Sequence, residues 1–237
     1  MAGNSLIETI DGEPILSESA QQMLNSAAKP QQPKLFDMSG AGEEARKLED
    51  LRDEYFHADP KRRAELAKDI RYQERRIIEA GLNDMLENTN QRIALIERKY
   101  QTTETSGWKN ADAKKYAELL AKAERLQTIK RDLWDDEATL PFFLYRLHFN
   151  DVFARKNGFD VVVANPPYVR MELFKEQKEE LSSSYSEVYA GRADLYVYFF
   201  ARAYDLLKSM GQISFVTSNK YLKANYGSGL RKFLSTK

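Results

Sequence analysis

The strongest candidates for chemistry in this chain are four consecutive residues, Asn165, Pro166, Pro167 and Tyr168, called the tetrad below. They follow the mostly apolar run 159–164, whose three successive valines predict a strand buried on both faces. The carboxyl end of such a strand is where open α/β sheets bind their ligands. Because each proline fixes its own φ and favours an extended conformation in the preceding residue, we expect a stiff corner here.

The tetrad combines hydrogen-bond acceptors with an aromatic ring. The side-chain oxygen of Asn165 and the backbone carbonyl of Pro166 accept hydrogen bonds, whereas the prolines supply no N–H donor. Such acceptors suit a planar substrate with an exocyclic NH2 group, since accepting both hydrogens frees the nitrogen lone pair for in-line attack on an electrophilic methyl group. The Tyr168 ring can stack on a base that has left its duplex. This reaction needs no strong general base.

The tetrad after an apolar strand resembles the catalytic motif of S-adenosylmethionine-dependent amino-methyltransferases. Downstream, the segment 193–200 (Ala-Asp-Leu-Tyr-Val-Tyr-Phe-Phe) leads into a predicted helix, and 211–219 is predicted as the next strand. Together with residues 149–153, these features resemble the adenine-N6 DNA methyltransferase region of type IIG and IIS restriction-modification enzymes and related phage-defence methyltransferases. The resemblance covers residues 141–233.

The resemblance implies an α/β fold, with a partial Rossmann-like S-adenosylmethionine-dependent methyltransferase sheet and a long helical hairpin insertion. It implies that Asn165 and Pro166 polarise the N6 amine of a flipped adenine in double-stranded DNA, that Pro167 holds the turn and that Tyr168 stacks on the base. A glutamine amide or an RNA base is an alternative substrate, because similar tetrads occur in such enzymes. A catalytically dead helical interaction module is the non-enzymatic alternative.

Two cofactor contacts are also implied by the resemblance. Phe199 would lie against the adenine of S-adenosylmethionine, and Asn4 is a further candidate because a short segment like 4–7 follows a cofactor-binding strand in the family. The glycine-bearing cofactor loop and the acidic ribose ligand of the family do not precede Asn4. We therefore expect an internal piece of a methyltransferase that does not turn over alone.

A helical hairpin is predicted between the N-terminal segment and the tetrad. Asp59 followed by Pro60 predicts the start of a helix that runs through Tyr100, and Asn110 is the predicted cap of a second helix. A shorter helix at 43–56 is expected to join them. A seam at seven-residue intervals favours packing on a partner helix; it consists of Leu119, Leu126 and Leu133.

The predicted elements divide the chain into three parts: an N-terminal remnant and linker (1–40), the helical hairpin insertion (41–139) and the partial catalytic domain (140–237). In the first part, 4–10 is predicted as a short strand or strand end followed by a turn at 11–14, and 21–32 is predicted as a linker. In the last part, 150–156 and 194–208 are predicted as helices, the first of them closed by Asn157 and Gly158. The polar segment 169–191 is long enough for a lid or a DNA-facing loop.

Composition limits the class of protein. The 36 basic residues balance the 36 acidic ones, so we expect most DNA affinity to lie elsewhere or to need a larger assembly. There are no cysteines, and the histidines, His57 and His148, lack metal-ligand spacing, so we predict no metal site. No signal peptide or membrane-spanning run is present in the sequence. These features predict a soluble, cytoplasmic protein without a membrane partner.

The strand before the tetrad also raises the question of assembly. Without a neighbouring central strand, residues 160–164 would have an unpaired edge. Because exposed strand edges favour pairing, we expect a homodimer, a swapped pair or cover by the N-terminal segment.

Overall fold

The computed structural model describes residues 2–27, 40–100, 107–170, 173–174 and 177–237 of the chain. Within these ranges the chain mixes α-helices with short strands, which agrees with the predicted α/β class. The helices are α1 (Glu18–Ala27), α2 (Gly40–His57), α3 (Pro60–Tyr100), α4 (Asn110–Asp132), α5 (Tyr145–His148), α6 (Asn150–Lys156), α7 (Lys178–Ser184), α8 (Tyr196–Leu206) and α9 (Ser228–Thr236).

The strands form small sheets of two strands each in the described part of the chain. β1 pairs with β4 and β5 with β6 in parallel, whereas β2 and β3 form an antiparallel hairpin. The strands are β1 (Ala2–Gly3), β2 (Thr9–Ile10), β3 (Glu13–Pro14), β4 (Thr139–Leu140), β5 (Phe159–Ala164) and β6 (Leu207–Phe215). Two short 3₁₀ helices lie between β6 and α9, at Asn219–Leu222 and Asn225–Gly227.

The described residues divide into two compact units. The hairpin unit contains the described residues of 2–3, 15–23 and 40–141, and the tetrad unit contains those of 4–14, 24–27 and 142–237. The three-part division made from the sequence stays a prediction.

The start of α3 follows the sequence signal, whereas the start of α4 does not. The Asp59 side chain accepts hydrogen bonds from the N–H groups of Lys61 (2.9 Å) and Arg62 (3.1 Å), which caps α3. The predicted cap at Asn110 is wrong, because Asn110 is already the first helical residue and Lys109 precedes it in an extended conformation. Lys109 makes no side-chain cap bond, so this helix start depends on packing rather than on a local cap.

Helices α3 and α4 form the predicted antiparallel hairpin. Lys99 Nζ lies 2.6 Å from Asp112 Oδ2, and further along the pair Lys130 Nζ lies 3.8 Å from Glu79 Oε1. This pairing of a late residue of one helix with an early residue of the other requires opposite directions. The predicted seam is buried, with exposures of 4% (Leu119), 1% (Leu126) and 1% (Leu133). Each such leucine contributes roughly 2 kcal/mol on burial.

The predicted short helix at 43–56 is confirmed as α2, and it packs on α3. Between them the buried Arg52 guanidinium bonds Glu49 Oε1 (2.9 Å) and Glu74 Oε1 (2.8 Å). On the outer surface Arg62 is 43% exposed and pairs with Glu54. Such surface pairs add little to stability.

The first residues of the tetrad unit depart from the predicted strand 4–10. Only Thr9–Ile10 is a strand, and it pairs with β3 across a turn at Asp11 (φ 52°) and Gly12 (φ 75°). The turn itself was predicted. The strand fails because the Asn4 side-chain oxygen accepts the Leu6 N–H at 3.1 Å, so a local turn replaces a strand ladder.

The linker predicted at 21–32 is wrong for residues 21–27, which are helical in α1. Ser17 begins this helix, because its Oγ accepts the Ala20 N–H at 3.2 Å. Leu24, only 2% exposed, anchors the helix in a core. Residues 28–32 lie outside the described part of the chain.

The predicted parallel strand pair of the tetrad unit is confirmed as β5 and β6, which are joined through α8. The boundaries differ, because α8 ends at Leu206 and β6 spans Leu207–Phe215 instead of 211–219. Phe159 pairs with Leu207 but Val161 pairs with Gln212, so the four residues 208–211 face Asp160 alone. This bulge contains Met210 at φ 64°.

The prediction that this strand is buried on both faces is wrong. Val161 is 52% exposed and Val163 is 73% exposed, while the alternate residues Val162 and Ala164 are partly covered. Among the described residues β5 is contacted by α6 and α8, and the face that carries Val161 and Val163 stays largely exposed. The homodimer expected from the strand edge stays a prediction.

The predicted helix at 150–156 is confirmed as α6, closed by Asn157 (φ 58°) and Gly158 (φ 138°). A Cβ at Gly158 would lie 2.5 Å from Lys208 N, so only glycine allows this approach. The predicted loop 169–191 is wrong for α7, whose Leu181 is fully buried. Tyr185, just after α7, donates its hydroxyl proton to Leu6 O.

Candidate active site

The tetrad lies at the carboxyl end of the parallel strand pair. The Val216 N–H donates to Ala164 O at 3.0 Å, so the two strands stay joined up to the last residue before the tetrad. Pro166 is buried, whereas Asn165 and Pro167 are exposed. The corner is therefore anchored by one proline while the asparagine amide faces solvent.

Tyr168 closes the tetrad with its hydroxyl. This hydroxyl donates to Val216 O at 3.1 Å and to Asn165 Oδ1 at 3.3 Å, while the side chain remains 54% exposed. Two carbonyl oxygens thus converge on one donor. Such an arrangement can accept hydrogen bonds from a polar N–H or O–H group and can present an aromatic face beside it.

An aromatic wall continues from the tetrad into the unit. The ring centroids of Tyr168 and Tyr196 are 6.2 Å apart, and Tyr196 lies 6.4 Å from Tyr221. Phe200 then connects Tyr221 (5.7 Å) to Phe215 (4.9 Å) at the end of β6. These separations lie within the range of favourable aromatic pairs. The tetrad ring is therefore the exposed end of an aromatic series in which Tyr196 and Phe200 are buried and Phe215 and Tyr221 are partly buried.

The hydroxyl of Tyr196 takes part in a short series of side-chain hydrogen bonds. Tyr226 donates to Asp194 Oδ2 at 3.3 Å, and the hydroxyls of Tyr226 and Tyr196 lie 3.1 Å apart. Burial, reinforced by the bond to Tyr226, raises the pKa of Tyr196, which is fully enclosed. Tyr196 is therefore a neutral phenol with a partner for its only polar atom.

Two backbone features hold these segments together. Leu195 N–H donates to Val169 O at 2.8 Å, which ties the residue after Tyr168 to the start of α8. A Cβ at Gly227 would lie 2.0 Å from Tyr221 O, so only glycine permits the close approach next to Tyr226. The sequence alone did not single out Tyr221, Tyr226 or the Val216 carbonyl. The Gly227 position was visible in the sequence, but it predicted no site.

The two candidate cofactor residues both lie in the tetrad unit. Phe199 is half-buried on α8. Asn4 is engaged by its own unit, because its Nδ2 donates to Gln177 Oε1 (3.1 Å) and its Oδ1 accepts from Leu6. The half-buried ring of Phe199 suits stacking on an adenine, whereas both ends of the Asn4 amide already have partners.

The Asp160 carboxylate, at the start of β5 and so at the opposite end of that strand from the tetrad, is paired with two lysines. Hydrogen bonds from Lys208 and then Lys156 lower the pKa of Asp160, which precedes the three valines of β5. This carboxylate is therefore ionised at neutral pH and held by two cations.

In the part of the chain that the structure describes, no group of three or more histidine, aspartate or glutamate side chains is placed to hold a metal ion. None of the described helices is both long and apolar enough to cross a membrane.

Residues 78–237 match the family described as Eco57I restriction-modification methylase. The match therefore begins within α3 and includes most of the hairpin as well as the tetrad, whereas the resemblance found in the sequence began at Pro141.

The chain is also similar to curated methyltransferases. It is 41% identical over 78 residues to the type II methyltransferase M.BstVI of Geobacillus stearothermophilus, and 38% identical over 77 residues to the type II methyltransferase M.XhoI of Xanthomonas vasicola. Each match spans 32% of this chain and 14% of the relative. It is 32% identical over 80 residues to the type II restriction enzyme and methyltransferase RM.Eco57I of Escherichia coli, spanning 32% of this chain and 8% of that protein.

Proposed function

The chain belongs to the family of Eco57I restriction-modification methylases, and from this premise we propose that it contributes the amine-activating part of a site-specific DNA methyltransferase. The proposed reaction moves a methyl group from S-adenosylmethionine to the exocyclic N6 amine of an adenine. The proposed partner is double-stranded DNA, and the proposed setting is a restriction-modification or phage-defence system. A partial Rossmann-like sheet, with β5 and β6 as two of its strands, is the proposed architecture around the tetrad.

The observation that carries this proposal is the exposed Asn165 amide beside the Tyr168 ring at the end of β5. Asn165 Oδ1 accepts a hydrogen bond from one neighbouring hydroxyl at 3.3 Å, and Asn165 is an exposed residue. If the amide were turned into the core, it would be unavailable to a substrate. The accessible oxygen and the half-exposed ring offer the two contacts that a planar aromatic amine needs.

In the proposed reaction, Asn165 Oδ1 and the Pro166 carbonyl accept the two hydrogens of the adenine amine. This bonding favours a tetrahedral nitrogen. Its lone pair would displace the sulfur from the methyl carbon as the carbon–sulfur bond breaks, and the methylated amine would then release one proton to solvent. Tyr168 offsets part of the stacking energy that the base loses when it leaves the duplex. Pro167 limits the motion of the corner, which keeps the acceptors in place before the substrate arrives.

The residues present fit a cofactor in part. When bound, S-adenosylmethionine supplies the electrophilic methyl group. Phe199 is the proposed contact for its adenine, because its ring is half-buried on the helix that follows the tetrad segment. Asn4 remains a proposed contact through hydrogen-bonding capacity that Gln177 and Leu6 leave unused, since an amide has two donor hydrogens and two acceptor lone pairs.

The test is Asn165→Ala in the intact protein. Methyl transfer from tritiated S-adenosylmethionine to DNA is expected to fall at least about 100-fold, the usual cost of removing one preorganised polar contact to a transition state. Nucleoside mass spectrometry of the DNA should find N6-methyladenine with the parent protein and, at equal reaction times, far less of it with the variant. Because Asn165 is exposed, the Asn165→Ala variant should unfold at the same temperature as the parent protein.

Asn83→Ala is the matched control, because Asn83 is an exposed asparagine on α3. It should leave methyl transfer at the parental rate. Parental activity in Asn165→Ala would refute the assignment of this residue. If labelled methyl groups were found only in RNA or on glutamine, the substrate would not be DNA.

A further inference from the structure

The orientation of the Tyr168 ring depends on few contacts. Its hydroxyl donates to Val216 O and Asn165 Oδ1. Its ring centroid lies 6.2 Å from that of Tyr196, with an angle of 59° between the two ring planes. A tyrosine that is 54% exposed loses side-chain entropy when it is held in one rotamer. Support from a rigid neighbour reduces the freedom that a stacking ligand must still remove.

Tyr196 is such a rigid neighbour. Its side chain is fully buried at the first residue of α8, and its hydroxyl lies 3.1 Å from that of Tyr226. Tyr226 in turn donates to Asp194 Oδ2. A buried phenol without a partner would be costly, so this chain of bonds holds the Tyr196 ring in one place.

We propose that Tyr196 is a positioning residue of the tetrad, whose ring sets the plane in which Tyr168 receives a base. The Tyr226 and Asp194 side chains fix Tyr196 through its hydroxyl, and the Leu195–Val169 backbone bond of 2.8 Å sets the distance between α8 and the tetrad. The identity of the base ligand rests on the proposed function. The support of one ring by the other rests on the geometry alone.

Tyr198 provides a matched control for this idea. It lies two residues further along α8 and is also fully buried, but its ring packs on Tyr185 (6.0 Å) and Tyr189 (6.3 Å). Its hydroxyl donates to Ala190 O at 3.3 Å. A change from tyrosine to leucine at either position removes a similar buried ring from the same helix, and only one of the two rings contacts the tetrad.

The experiment compares Tyr196→Leu with Tyr198→Leu in the intact protein, labelled with ¹³C in its tyrosine rings. The Tyr168 ring signals, assigned from Tyr168→Phe, are expected to shift and broaden in Tyr196→Leu and to stay in place in Tyr198→Leu. Affinity for a single-stranded oligonucleotide with one adenine, measured by fluorescence anisotropy, should fall about two- to tenfold in Tyr196→Leu, the range expected for one aromatic pair.

Two conservative variants cover the case in which leucine disrupts folding. Tyr196→Phe keeps the ring and loses the hydroxyl, and Tyr226→Phe removes the partner of that hydroxyl. Both are expected to broaden the Tyr168 signals less than Tyr196→Leu does, since the supporting ring remains. Unchanged Tyr168 signals in all three variants, or equal changes in Tyr198→Leu, would overturn the positioning role.

These outcomes separate the two proposals. If Asn165→Ala leaves methyl transfer intact, the proposed function fails even when the Tyr168 signals respond to Tyr196. If Asn165→Ala abolishes transfer and the Tyr168 signals ignore Tyr196, the positioning role fails and the function stands.

Discussion

The chain contains two tyrosine-rich clusters whose rings are packed very differently. At the tip of the hairpin, Trp108 stacks on Tyr100 with centroids 4.6 Å apart and meets Tyr116 edge-on at 4.8 Å. At the tetrad, the nearest ring to Tyr168 is Tyr196 at 6.2 Å. Trp108 and Tyr116 are each 7% exposed, whereas Tyr168 is 54% exposed.

The hydroxyl groups of the two clusters differ in the same way. In the tip cluster, Tyr100 donates to Asp112 (2.5 Å) and Tyr116 to Glu97 (2.8 Å), so each phenol is held by a carboxylate. The Tyr168 hydroxyl is shared between two carbonyl oxygens at 3.1 and 3.3 Å. Short charge-assisted bonds suit a permanent contact, and longer neutral bonds suit one that a ligand can displace. Similar side chains thus stabilise one unit and leave a face available in the other.

The largest expected effect is on the tip cluster. Trp108→Ala should lower the free energy of unfolding of the hairpin unit by about 3 kcal/mol or more, because a buried aromatic ring is lost. Denaturant unfolding is followed by the fluorescence of the remaining tryptophan, Trp134, which lies in the same unit. Trp134→Ala is the control, and since Trp134 is 38% exposed it should cost less. Equal losses of unfolding free energy in the two variants would show that the buried Trp108 ring stabilises the hairpin unit no more than the partly exposed Trp134 ring does.

The next effect concerns Tyr168. Tyr168→Ala should weaken binding of an adenine-containing oligonucleotide by about ten- to a hundredfold, the usual value of one stacked base, while leaving hairpin unfolding unchanged. Anisotropy titrations measure the first quantity and tryptophan fluorescence the second. Tyr204→Ala is the control, because Tyr204 is 39% exposed in the same unit and packs on Phe233. A loss of affinity in the control as large as in Tyr168→Ala would contradict a specific stacking role.

The smallest effect is a pH dependence of the tip cluster. Hydrogen bonds from Lys99 and then Tyr100 lower the pKa of Asp112 below its ordinary value of 3.8. The unfolded chain therefore takes up this proton first as the pH falls. The contribution of Asp112 is complete above pH 3.8 and is lost as the pH drops through the folded pKa.

The measurement is the unfolding midpoint of the hairpin unit as the pH is lowered from neutral into the acid range. Asp112→Asn should be less stable at neutral pH, and its midpoint should fall less steeply on acidification. Parallel pH curves for parent and variant would show that Asp112 has no part in the tip cluster.

Local signals predicted several features correctly. Asp59 and Pro60 start α3, Asn157 and Gly158 close α6, and the leucine seam of α4 is buried, because each depends on residues that are neighbours in sequence or on one helix face. The sequence also predicted that the tetrad follows a strand, and β5 ends at Ala164, the residue before it.

Features that depend on distant residues were not predictable. The bulge at 208–211 arises from the register of β6 on β5, and the exposure of Val161 and Val163 depends on which elements cover the sheet. The ring contact between Tyr168 and Tyr196 and the hydrogen bond between Tyr196 and Tyr226 join separate segments of the chain. Valine and tyrosine are common in strands and cores, so their types alone do not reveal these contacts.

One hydrogen-bond acceptor at the tetrad belongs to the backbone rather than to a side chain. The Val216 carbonyl accepts the Tyr168 hydroxyl proton, while Val216 as a residue is 70% exposed. Systematic substitution at position 216 should therefore record broad tolerance, because every amino acid carries the same carbonyl. A comparison of residue types, or a deep mutational scan, would pass over this position, and only a change in the path of the main chain would reveal that it takes part.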